Sequence, residues 1–371
     1  MKKFLMVLIG TLAVLIFGLY TTGHGYLVKG IYHTYLHGKT GPGIYDLDVF
    51  PSAKLSPGEA AELLPSTQTL SSEDIALLAE GKTTAFLVFE NGQPVIEHYF
   101  EDHGPETVSN SFSMAKSIVA LLVYQEMEKD STFTAHSVAA DFLPFTNPGF
   151  DTIRIEELLT MSATTQWIES GKNPFSHNAK AYYGNDLKEL ILDMKTEAGK
   201  PEFHYKSGNS QILSLILEAK TQQPVYELAQ NQLWSKIGAR NEAYWSTDEV
   251  GNVKAFCCYY ATARDFSRFG ELILREGNMN GEQIIDTASI HQMLSAGEYH
   301  DQIPACYAHH WWRELHKGEQ LYYMRGILGQ YVVVLPEQDR VIVRLGHQRK
   351  ERNERNHPLD LYDYLEISSH Y

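Results

Sequence analysis

The sequence is most informative first in what it has little of. It holds 3 cysteines in 371 residues, too few for a disulfide framework, and no C-x-x-C spacing that suits a structural metal. Two of them, Cys257 and Cys258, are adjacent, and all three read as small buried apolar residues. Basic residues are also in short supply: 31 Lys and Arg against 46 Asp and Glu leave a net charge of −15. A surface of that sign repels phosphate backbones, which excludes nucleic acid as a natural partner. Internal repeats and low-complexity tracts are absent. What remains, with 43% hydrophobic and 21% charged residues, is a chain long enough to bury a substantial core.

Long apolar runs are also missing, with one exception. After Met1-Lys2-Lys3, residues 4–20, FLMVLIGTLAVLIFGLY, carry no charge and approach the ~20 residues that a membrane span needs. The run exceeds the ~7–15-residue core of a removable signal, and no A-x-A site follows. The expectation for residues 1–23 is therefore an uncleaved anchor rather than a cleaved signal. Lys2 and Lys3 on the cytoplasmic side would put the body in the periplasm or cell exterior. Residues 24–80 mix Gly, Pro and Ser with short helical patches and read as a stalk.

Residues 83–100, TTAFLVFENGQPVIEHYF, predict a β-hairpin closed by Asn91-Gly92. From 110 to about 295 the apolar period is mainly helical, and Thr262 and Asp265 stand at capping-box spacing before ATARDFSRFGELIL resolves into a helix. Residues 323–346 predict two strands around Pro336-Glu337-Gln338-Asp339, with a possible third strand in 309–324. A last helix follows Pro358, with Leu361, Tyr364 and Leu365 on its apolar face. Hairpin, helices, strands, helix is an order that suits one antiparallel sheet built from both ends of the body, with a mainly helical lobe at roughly 126–260 inserted between them.

One pairing carries chemistry. Ser113 and Lys116 form the single S-x-x-K in the chain and open the apolar helix SIVALLVY. Residues three apart share a helix face, and a lysine in a water-poor site can accept the proton of a serine hydroxyl. The helix start adds backbone N–H groups that favour a negative oxygen.

The motif SFSMAKS behind a hairpin resembles the active-site serine motif of the serine β-lactamase and penicillin-binding protein superfamily. With LLTMSA (158–163), TARDFSRFGELIL (262–274) and RGILGQYVVVLP (325–336), the chain is similar to its class C β-lactamase-like branch of esterases, D-peptidases and aminohexanoate-oligomer hydrolases. The resemblance implies an α/β (α+β) fold, an antiparallel sheet flanked by helices beside the inserted lobe. The similarity covers roughly residues 80–350, within a domain expected at 81–371, with an N-terminal transmembrane helix added ahead of it. It implies a serine hydrolase for ester or amide bonds with no cofactor and no metal. Two alternatives stay open: a β-lactamase or D,D-peptidase, and a non-catalytic anchored binding protein on the same scaffold.

The branch's Y-x-N or Y-x-S element matches Tyr205-Lys206-Ser207, which makes Tyr205 the proton carrier beside Lys116 and puts Ser207 in the substrate site. Its K-T-G or H-x-G strand matches Met324-Arg325-Gly326, so the basic residue that holds a substrate carboxylate is missing at Met324. Arg325, one position later, is expected on the other face of the strand. Gly326 would let substrate approach, and the N–H groups of Ser113 and Ile327 would form the oxyanion hole. Trp167 and His347 are candidates for the cleft wall, and Arg344 or His347 for an alternative carboxylate contact. His309 and His310 read as structural.

Overall fold

The structure, a computed structural model, describes residues 1–295 and 306–371. Strands β1 (Ser52–Leu55), β2 (Thr83–Glu90), β3 (Gln93–Tyr99), β4 (Ser109–Asn110), β5 (Ala243–Ser246), β6 (Tyr259–Ala261), β7 (Asn278–Met279), β8 (Glu282–Gln283), β9 (Trp312–His316), β10 (Glu319–Gly326), β11 (Gln330–Leu335) and β12 (Arg340–Gly346) follow in chain order. Six of them make the main sheet, in the order β3-β2-β12-β11-β10-β9, with every pair antiparallel. It is built from both ends of the body, as the sequence pattern predicts, because β12 pairs with β2. The β2–β3 turn has Asn91 and Gly92 at φ 51° and 74°, the left-handed pair that a two-residue hairpin requires. Lys317-Gly318 turns β9 into β10 in the same way, at φ 51° and 92°.

Strands β11 and β12 are buried along their whole length, which is why they read as unbroken apolar runs and not as alternation. One face, with Val332, Val334, Val341 and Val343, packs on α4 (Ala115–Lys129) and α10 (Ala263–Leu274). Gly270 lets α10 approach, since a Cβ there would lie 2.6 Å from Val341 Cγ1. The other face, with Phe86, Val88 and Ile342, is covered by α3 (Ser72–Glu80) and α12 (Leu359–Ser369) through Leu78, Leu361, Tyr364 and Leu365. Thr262 caps α10, its Oγ1 accepting from Asp265 N at 3.1 Å.

In the chain between β3 and β9 come also α5 (Ile155–Leu159), α6 (His177–Tyr183), α7 (Leu187–Leu192), α8 (Ser207–Thr221), α9 (Val225–Ala229) and α11 (Thr287–Met293). A second sheet, in the order β1-β5-β6-β4, was not legible in the sequence, because its strands are too short to show a period. It also corrects the reading of residues 24–80 as a stalk. β1 pairs with β5 from Ser52↔Ser246 to Leu55↔Ala243, Leu55 and Ile44 are wholly buried, and Ile44 O accepts from Asn110 N at 2.8 Å. That segment is part of the body. A second correction concerns the cysteines: Cys257 and Cys258 are buried as expected but joined to each other by a disulfide.

At the N-terminus α1 (Lys2–Thr21) has no buried residue and is long and apolar enough to cross a membrane. It is followed by α2 (Gly25–His33), which packs on α6.

Candidate active site

Ser113 sits on a single tight turn, Phe112–Met114, at the head of α4. The turn is held by backbone bonds from both sides. Ser111 N donates to Tyr259 O at 2.8 Å, and Phe112 N donates to Asn110 Oδ1 at 2.8 Å. Phe112 has φ 45°, a conformation that costs a bulky residue of order 1 kcal/mol or more and persists only where its surroundings enforce it. The consequence is that Ser113 is half-buried while its neighbours Phe112 and Met114 are buried.

One turn further on, Lys116 is 1% exposed. Its Nζ lies 3.1 Å from Ser113 Oγ and donates to Phe256 O at 2.7 Å. Neither oxygen is a carboxylate, so these two partners do not hold Nζ in an ion pair. Tyr205, expected beside it, arrives from 89 residues downstream: Lys116 Nζ is 5.1 Å from the centre of its ring. The ring is set by stacking on Trp312 at 5.8 Å and by an edge contact with Tyr307 at 6.1 Å.

The end of β10 closes on this group. A Cβ on Gly326 would meet Ser111 O at 2.2 Å, so the glycine is required by the turn that carries Ser113, a different reason from the substrate approach expected of it. Ile327 follows, 45% exposed. The turn beyond it is braced by residues that sequence reasoning did not single out in this role. Gln330, fully buried, donates through Nε2 to Ile327 O at 3.1 Å and to Gly346 O at 2.7 Å, and accepts from Gly346 N at 3.1 Å. Arg344 donates to Gly329 O at 2.7 Å and Gln348 O at 2.9 Å and also bonds Gly81 O. It is fully buried and therefore no candidate for a substrate carboxylate.

The remaining candidates are more scattered. Met324 is fully buried and packs in the same core as Ala115 and Ile118, so a basic residue placed there would be enclosed rather than offered to the cleft. Arg325 does face the other way: its guanidinium lies 3.3 Å from the Trp312 ring centre, and Nη1 donates to Asn356 O at 2.7 Å. Ser207 is buried and committed elsewhere, with N and Oγ donating to Glu169 at 2.7 and 2.9 Å. Trp167 is buried too, donating from Nε1 to Glu169 Oε2 at 2.9 Å. Gly208 is a glycine because of it, since a Cβ would be 2.4 Å from Trp167 Cε3. Glu169, missed in the sequence for want of any motif, thus ties the start of α8 to the Trp167 loop. His347 lies past β12, 3.8 Å from Glu101 and 5.7 Å from the Tyr45 ring, two strands away from Gly326 in the sheet order.

His309 and His310 precede β9 and are structural. Burial first, and Lys116 second, push His310 down to about 3, and burial pushes His309 down to about 4. Neutral His310 must donate from Nδ1 to Leu159 O, 2.8 Å away, and accept at Nε2 from Ser210, also 2.8 Å away. Two imidazoles held neutral make stability pH-dependent with a definite sign. Their folded values lie below the ordinary one, so their contribution is complete above the ordinary value of about 6.5. It is lost as pH falls toward the folded values, at about 1.4 kcal/mol per histidine per pH unit. Urea unfolding at pH 7, 6 and 5 should show midpoints that fall with pH, and a midpoint unchanged to pH 5 contradicts two buried neutral imidazoles.

The family profile described as Beta-lactamase matches residues 77–364. The chain belongs to the β-lactamase family. Among curated relatives, the 6-aminohexanoate-dimer hydrolase of Paenarthrobacter ureafaciens is 24% identical over 324 residues, 80% of this chain and 82% of that protein. Among solved structures, a candidate 6-aminohexanoate-dimer hydrolase from Bacillus anthracis superposes with TM-score 0.71 at 22% identity, over 86% of this chain and 91% of the other. A D-stereospecific amidohydrolase from Streptomyces does so with TM-score 0.59 at 12% identity, over 77% and 93%. This β-lactamase-family chain is accordingly a hydrolase of the serine β-lactamase-like superfamily. Among the described residues no cluster of metal-ligating side chains is found.

Proposed function

We propose that the chain hydrolyses esters or amides without a carboxylate near the scissile bond, through an acyl-enzyme on Ser113. The observation that carries this reading is Lys116 Nζ at 3.1 Å from Ser113 Oγ, under the Tyr205 ring and without an acidic partner among its two hydrogen bonds. Lys116 takes the hydroxyl proton as Ser113 Oγ attacks the substrate carbonyl carbon. The oxyanion is received by the backbone N–H groups of Ser113 and Ile327. Tyr205 passes the proton to the departing alcohol or amine, whose bond to the acyl carbon breaks. Water then adds to the ester on Ser113, giving up its proton to Tyr205 and Lys116, and the acid leaves as Ser113 recovers its hydrogen.

The substrate class follows from charge. Met324 offers no cation, and Arg325 and Arg344 are engaged elsewhere. A charge-assisted hydrogen bond to a substrate carboxylate contributes ~1.5–3 kcal/mol, so its absence should lower affinity for penicillins and D-Ala-D-Ala peptides by about one to two orders of magnitude relative to a site that has the basic residue. The relative named a 6-aminohexanoate-dimer hydrolase supports an amide as the bond cleaved. Measured kcat/KM should be higher for neutral short-chain esters and amides than for a cephalosporin, and the reverse order contradicts this substrate class.

Gel labelling separates the readings. A fluorophosphonate should label the chain and a fluorescent penicillin should not. Labelling by penicillin favours a β-lactamase or D,D-peptidase, and labelling by neither favours a binding protein on this scaffold. We further propose that α1 anchors the body outside the cytoplasm, since Lys2 and Lys3 precede an uncharged run.

A further inference from the structure

Exposed apolar side chains of the body are scattered except just after α1, where four fall within residues 31–36. Ile31, Tyr32, Tyr35 and Leu36 are 49%, 53%, 69% and 71% exposed. They lie on α2 and the short turn Tyr35–His37 that continues it. The opposite side of α2 is committed to the body. Tyr26 is buried, a Cβ on Gly30 would lie 3.3 Å from the Tyr183 ring, and Lys29 Nζ donates to Asn185 Oδ1 at 2.8 Å and Glu249 Oε1 at 2.6 Å. With its inner face pinned, α2 cannot roll to hide Ile31 and Tyr32.

A second segment adds to the same region. Phe175, 64% exposed, has its ring 6.4 Å from that of His24, in the turn directly after α1. Only residues 22–24 separate α1 from α2, and His24 N donates back to Leu19 O at 2.7 Å, so the join is a tight corner rather than a tether.

We propose that Ile31, Tyr32, Tyr35, Leu36 and Phe175 form a membrane-contact surface that lies in the interfacial layer of the bilayer α1 enters. The proposal rests on the reading of α1 as a span. Its 20 residues reach about 30 Å at the α-helical rise, the thickness of a bilayer's hydrocarbon core. The span is therefore used up at Thr21, and α2 begins at the level of the headgroups. Tyrosines are the residues that sit well at that depth, ring in the acyl boundary and hydroxyl in water, and Tyr20, Tyr32 and Tyr35 are all exposed there. The body is then held against the membrane in one orientation.

The test uses the full chain in lipid vesicles with a fluorophore on Tyr35→Cys, and a control label on Leu359→Cys, itself 46% exposed on α12. Both native positions are exposed, so neither change disturbs the core. Lipids carrying a quencher near the headgroup should quench the label at 35 at least two-fold more than the label at 359. Equal quenching in protein that resists carbonate extraction overturns the contact surface while leaving the anchor standing. Release of the protein by carbonate overturns both the anchor and the contact. Energy transfer between labels at 35 that grows with protein density, without lipid quenching, assigns the face to a second copy of the chain and overturns the proposal.

Discussion

Ser113→Ala is expected to abolish turnover of a nitrophenyl ester, and fluorophosphonate labelling with it, while the unfolding midpoint stays within a few degrees of wild type. The separation of the two effects follows from how the turn is held. Its bonds run through Asn110 Oδ1, Tyr259 O and the backbone of 111 and 112, and Ser113 Oγ takes part in none of them. Removing one oxygen from a half-buried residue leaves the turn intact and leaves Lys116 its bond to Phe256 O. Loss of the nucleophile from such a constellation typically costs the greater part of its rate enhancement. Turnover unchanged in Ser113→Ala removes the mechanism altogether.

Tyr205→Phe should lose on the order of 10²–10⁴ in kcat, the usual worth of one acid–base group, with KM nearly unchanged. Phenylalanine keeps the ring, so the contacts with Trp312 and Tyr307 that fix it survive. Only the hydroxyl proposed to carry the proton is lost. Steady-state kinetics of the folded variant give the answer: a kcat within two-fold of wild type assigns the proton transfer to Lys116 alone.

The parts of this molecule that could be read from the sequence are those written locally. Asn91-Gly92, the Thr262 cap, the apolar runs of β11 and β12 and the Ser113–Lys116 spacing each depend on neighbours within a few residues. What escaped depends on partners far along the chain. β1 is recognisable only through β5, about 190 residues away. Gln330 and Arg344 look like ordinary strand residues until Ile327 and Gly329 are seen to hang from them. Glu169 has no motif, yet it claims both Ser207 and Trp167. The motif at Met324-Arg325-Gly326 was legible in its alternation but not in its environment, because β10 packs against the Phe112–Met114 turn and Met324 joins the core that holds Ala115 and Ile118.

The most direct test of the central claim is to trap the acyl-enzyme and locate it. Wild-type protein mixed with a slowly deacylating neutral ester, quenched in acid and digested, should carry the acyl mass on one peptide, with fragmentation assigning it to Ser113. An adduct on any other residue, or rapid ester turnover with no adduct at Ser113 under conditions where it should accumulate, contradicts the account.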